Sequence, residues 1–152
     1  MSGIIGGAGS RSGVIGTTEL DYEEGTWSAE LRGQIARATT PVIITDAQYI
    51  KTGRMVYVIA SFENVTTTGA SGQIQVVGLP FTADSATNAV PVLISLCNKL
   101  TFTSTSNPAF TLADTTMSGN EINYGGTSGD WAMVATTAVY LRVSATYITT
   151  GT

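Results

Sequence analysis

No histidine occurs among the 152 residues, cysteine appears once, at Cys97, and only 12% of the residues carry charge. Without histidine the chain lacks the proton carrier of Ser-His and Cys-His nucleophile systems and the commonest zinc ligand, which excludes most hydrolase mechanisms. One cysteine cannot close an internal disulfide, so stability must come from packing or from association with other chains. Cys97, in LISLCNKL, reads as a small buried hydrophobe. Seven Lys+Arg against eleven Asp+Glu give a net charge of −4, so neither a phosphate-neutralising surface nor a nucleic-acid partner is expected. The longest uncharged, largely apolar stretch, Ser85 to Asn98, is interrupted by Pro91 and is far too short to span a bilayer. No basic segment opens the chain, and no membrane partner is expected.

What is present is Thr, Ser, Asn and 17 glycines, with 43% hydrophobic residues. These polar residues hydrogen-bond locally and favour turns and strands, whereas the long charged side chains that stabilise exposed helices are scarce. The composition indicates an all-β protein, and its length fits a single core.

Two regions follow from the pattern. Residues 1–18, MSGIIGGAGSRSGVIGTT, hold six glycines and no strand or helix periodicity. Its apolar pairs Ile4-Ile5 and Val14-Ile15, with Arg11 between them, suit an arm that plugs pockets on another molecule, because exposed Ile and Val gain nothing in water. Residues 19–152 form the second region, a single β domain. In TWSAELRGQIA, Trp27, Ala29, Leu31, Gly33 and Ile35 alternate with polar residues, as a strand with one dry and one wet face requires. In GRMVYVIASFENV both faces are apolar, Met55, Tyr57 and Ile59 on one and Val56, Val58, Ala60 and Phe62 on the other, which predicts a central strand covered on both sides. A long closing strand is expected where Val139, Leu141, Val143, Ala145 and Tyr147 alternate with Tyr140, Arg142, Ser144 and Thr146. Turn clusters such as TTTGASG, TADSATN and GGTSGD separate eight or nine short strands. The expected architecture is a jelly-roll-like antiparallel β-sandwich with an extended N-terminal arm. Thr-rich strands with few core leucines imply a thin core completed by subunit contact.

The densest chemistry lies in DYEEGTW, Asp21 to Trp27, with three carboxylates and two aromatics. Glu23 and Glu24 are adjacent, so an extended strand points them to opposite faces, which does not suit a paired-carboxylate glycosidase. A cation site is the weaker alternative to solvated acids. GAGSRSG has the glycines of a dinucleotide loop but neither the preceding strand nor the following helix, and no cofactor is expected.

DYEEGTW, followed by YIKTGRMVYV and then GLPF about twenty residues on, resembles a recurrent module of tailed-bacteriophage virion structural proteins. The resemblance covers roughly residues 6–81; TWSAEL stands where the module carries a proline soon after the tryptophan, and Ala83 to Thr152 shares only the β-rich style. It implies a non-enzymatic, homotrimeric β module on a virion, assembled with the major capsid protein or another virion component. Lacking heptads, repeats or a shaft, the chain reads as a capsid decoration (cement) protein anchored by its arm through Ile4, Ile5, Arg11, Val14 and Ile15. The alternative is a receptor-binding tip of a tail fibre or spike, engaging a host-surface glycan through Tyr124 or Trp131. On either reading Tyr22, Trp27, Tyr57, Phe81 and Trp131 are expected to pack in the core or between subunits. Gly25 is expected to permit a bend between Tyr22 and Trp27, and Lys51 or Arg54 to meet an acid of the junction.

Overall fold

The computed structural model describes residues 21–84, 90–100, 106–123 and 128–150, so the expected arm and Tyr124 lie outside the described residues. Among the described residues nine strands run in order: β1 (Tyr22–Gly33), β2 (Val42–Thr52), β3 (Met55–Val65), β4 (Ile74–Val77), β5 (Val90–Asn98), β6 (Ser106–Ala113), β7 (Thr116–Asn123), β8 (Ser128–Asp130) and β9 (Val139–Ile148). The described residues contain no helix. The chain is all-β, as its composition requires.

All pairings are antiparallel, and the sheet order is β4-β1-β2-β3-β9-β5-β6-β7-β8 with a further β4–β7 pairing. That last contact closes eight strands into a barrel, with β8 added outside the ring on β7. The sequence suggested two stacked sheets; the hydrogen bonding instead gives one continuous ring. The seam is β4, only four residues long, which pairs β1 through Glu30↔Val77 to Gly33↔Ile74 and β7 through Gln75↔Ser118 to Val77↔Thr116. Closure satisfies the backbone groups that open edges would expose, and eight strands leave an interior just wide enough for side chains to fill.

Alternation does fill it. Trp27, Ala29 and Leu31 of β1, Val56, Val58, Ala60 and Phe62 of β3, and Val139, Leu141, Val143, Ala145 and Tyr147 of β9 all point inward and are buried. Phe110 and Trp131 meet edge to face at 5.4 Å under the β6–β7 side. Trp131 packs there because Gly119 leaves room: a Cβ at Gly119 would stand 2.2 Å from Ile74 Cγ2 and 3.1 Å from Trp131 Cε3.

Two sequence expectations are corrected. β1 ends at Gly33, and Ile35 is 80% exposed, not part of the dry face. The backbone of Ile35 leaves the β1 ladder and, with Ala36, bonds the Ser71 carbonyl. The second is the cover on β3: its inner residues are buried, but Met55 and Tyr57 on the other face are 52% and 42% exposed in the single chain.

β2 was not legible as a strand. Trp27 pairs Ala47 while Ala29 pairs Ile44, so a bulge puts two residues, Thr45 and Asp46, opposite Ser28. The inward set therefore changes phase from Val42 and Ile44 to Ala47, Tyr49 and Lys51, and no period-2 pattern survives in the sequence.

Candidate functional site

The three motifs of the resemblance, separated in sequence, converge at one end of the barrel. DYEEGTW opens β1, YIKT closes β2, and Phe81 of GLPF follows β4. The Tyr49 and Phe81 rings meet edge to face at 5.3 Å, and the Lys51 ammonium lies 5.7 Å from the Phe81 ring centre. Lys51 Nζ donates to Asp21 Oδ2 at 2.8 Å, the pairing expected between these motifs, and the Gly53 N–H donates to the Asp21 carbonyl at 2.7 Å. Lys51 is buried while the Asp21 side chain is 55% exposed, so the pair is half in water and contributes at most about 1 kcal/mol. Arg54 instead binds Asp84 at 2.6 Å and the Thr149 carbonyl at 3.0 Å, tying the start of β3 to the C-terminal strand.

The acids of DYEEGTW are occupied. Glu23 Oε1 accepts from the Tyr49 hydroxyl at 2.6 Å, and Glu24 Oε2 accepts from the Tyr22 hydroxyl at 2.6 Å. These bonds, with smaller contributions from desolvation and carboxylate repulsion, raise both phenols above their ordinary value. Among the described residues no three His, Cys, Asp or Glu side chains converge as a metal ligand set. Gly25 lies within β1 without a positive φ, so it is not the expected bend. Its role is close approach: a Cβ there would stand 2.9 Å from Tyr49 Oη and 3.0 Å from Cε1. Deeper in the same end, the Tyr147 hydroxyl donates to the Phe81 carbonyl at 2.9 Å, and burial pushes its pKa up to about 12.

Of the aromatics singled out from sequence, Trp27 is buried with its indole N–H on the Gln48 carbonyl at 3.2 Å, and Trp131 is fully buried. Phe81 is half-buried against the core. Tyr22 and Tyr57 face outward in the single chain, leaving only subunit contact as a packing role for them. Cys97 is half-buried, and desolvation raises its thiol pKa.

The outside of the barrel divides in two. Across β1, β4, β7, β6 and β8 the side chains form a polar ladder. Arg32 donates to Gln75 at 3.3 Å, Gln75 to Ser118 at 3.5 Å, Asn120 to Thr111 at 2.9 Å, and Gln73 to both Asn120 and Asp130 at 3.3 and 2.9 Å. Across β2, β3, β9 and β5 the outward rows are Ile50–Tyr57–Thr146 and Gln48–Ile59–Ser144–Leu93, with Met55 beside Ile148 below them. No charge stands in these rows. A groove of about 430 Å³ runs over this side, lined by Glu24, Thr26, Gln48, Ile50, Tyr57 and Ile59. The doubly apolar pattern of β3 was the sequence signal for this face; Ile50 and Leu93 could not be assigned to it without the register. No family model matches the chain, and comparison with the curated proteins finds no match.

Proposed function

We propose that this chain is a non-enzymatic virion structural protein, a homotrimeric capsid decoration protein whose N-terminal arm grips the capsid while the β domain stands outward. The motif resemblance supplies the class. The observation that carries the anchoring role is the pinning of Asp21, where the N-terminal residues join the barrel. Its carbonyl and its carboxylate are both held, by Gly53 and Lys51, and the strand it opens is hydrogen-bonded to β2 from Tyr22 onward and gains β4 as a second neighbour over Glu30 to Gly33. A pull on the arm thus loads the β1–β2 ladder, whose register runs from Tyr22↔Thr52 to Leu31↔Val42, and not an unpaired loop. Three arms per trimer add weak individual contacts through effective concentration, resisting genome pressure from within.

The jelly-roll sandwich expected from sequence would be a flattened form of the same closed ring. The fibre-tip reading draws less support, because the indole of Trp131 is buried and offers no face to a saccharide. Deleting residues 1–18 and mixing the protein with undecorated capsids tests the proposal: the truncated protein should keep its β circular dichroism and lose co-sedimentation with the particles. A truncated protein that still coats them contradicts it.

A further inference from the structure

We propose that the outer face of β3 and its neighbours, centred on Tyr57, Ile59 and Leu93, is the surface through which copies of this chain associate. The number of copies rests on the homotrimeric reading above; the choice of face rests on the side chains alone. Tyr57 is 42% and Leu93 65% exposed, and with Ile50 and Met55 they stand in adjoining rows instead of being scattered singly. Four strands about 4.8 Å apart and three rows about 6.8 Å apart cover roughly 400 Å² once side-chain girth is included. That area, which includes Gln48, Ser144 and Thr146 beside the apolar side chains, lies within the ordinary range for the largest patch of a lone chain and is about half of what each partner of a stable pair buries. It has the size of an interface's dry centre, the remainder being a polar rim. Glu24, Asp46 and the Arg142–Glu63 pair supply such a rim around it.

Charge selects a second copy as the occupant. A different partner would gain from basic groups set against this acidic chain, and would be met by charges placed for it. Side chains close to a symmetry axis instead meet their own copies, so positions there favour uncharged groups, because like charges in contact cost several kcal/mol; farther from a threefold axis the contact is head to tail. From β2 to β5 the rows through Tyr57 and Ile59 contain only apolar, hydroxyl and amide side chains, which can meet their own copies without repulsion; the nearest charge, Glu24, stands on β1 opposite Ile50 and accepts from the Tyr22 hydroxyl.

The test is sedimentation velocity of the full chain at micromolar concentration, beside Tyr57→Glu, Leu93→Glu and, on the exposed β6–β7 turn, Thr115→Glu. The wild type and Thr115→Glu should sediment as an assembly, and the two face variants as single chains with unchanged far-ultraviolet circular dichroism. If a glutamate variant fails to fold, Tyr57→Thr keeps strand propensity and should weaken association at least about tenfold, roughly the loss of one well-packed aromatic contact. A wild type that sediments as one chain overturns the proposal, as does an assembly that persists in the folded face variants. The latter would leave the trimeric reading intact with another interface. Assembly through this face by a protein that never coats capsids would instead overturn the decoration role alone.

Discussion

The two outer faces of the barrel cover the same core in different ways. On the β4–β7 side the central polar groups find neighbours: Gln75 is buried between Arg32 and Ser118, and Asn120 is held by Thr111 and Gln73. On the β3 side the outward residues are Ile50, Tyr57, Ile59 and Leu93, which gain nothing from water. One face is complete within the single chain. The other is the surface proposed above to be finished by a sister chain, and on that proposal the contrast separates what holds the fold from what builds the assembly.

Substitutions can break or sharpen that contrast. The largest effect is expected beneath the polar face, where Trp131→Ala should lower unfolding free energy by about 3–5 kcal/mol, the range for a buried large aromatic; urea denaturation reads it. Trp27→Ala should cost a similar amount, and an unchanged melting temperature in either variant would contradict the buried positions. On the polar face itself, Asn120→Ala removes the group linking Thr111 to Gln73 and should cost about 1–2 kcal/mol by the same measurement. At the motif end, Tyr147→Phe should cost about 1 kcal/mol at neutral pH for the lost bond to the Phe81 carbonyl. It should also change the alkaline limb. The folded pKa of Tyr147, about 12, lies above the unfolded value of 10.0, so the folded state holds the proton longer. This contribution is complete below pH 10 and declines as pH rises toward 12, at up to about 1.4 kcal/mol per pH unit. Stability of the Phe variant should fall less steeply over that window. Smallest should be Leu93→Thr on the apolar face: under conditions where the chain is monomeric its stability should move by no more than about 0.5 kcal/mol, since the side chain covers no core.

The same contrast explains what was legible in the sequence. β1, β3 and β9 were readable because period-2 alternation runs unbroken from Trp27 to Leu31, Val56 to Phe62 and Val139 to Tyr147. β2 was not, since the bulge at Thr45 and Asp46 changes which residues face inward. Ring closure was also hidden: it depends on three residue pairs between β4 and β7, whose partners lie about forty positions apart with no local signature. The motif end was half legible. Opposite charges in DYEEGTW and YIKTGR suggested that they meet, and Lys51 does meet Asp21. That Phe81 completes the cluster, and that Gly25 serves the Tyr49 ring and not a bend, required the register of β1 on β2, which places Gly25 directly opposite Tyr49.

Hydroxyl-radical footprinting of the intact protein in solution tests the division of the barrel most directly. Ile35, 80% exposed and away from the apolar rows, is an internal standard for an open side chain. Tyr57 and Leu93 should be oxidised far less than their exposure in a single chain allows, and Ile35 in full proportion to its own. Labelling of all three in proportion to single-chain exposure would mean that nothing covers the β3 face, and the account of a surface completed by sister chains would be contradicted.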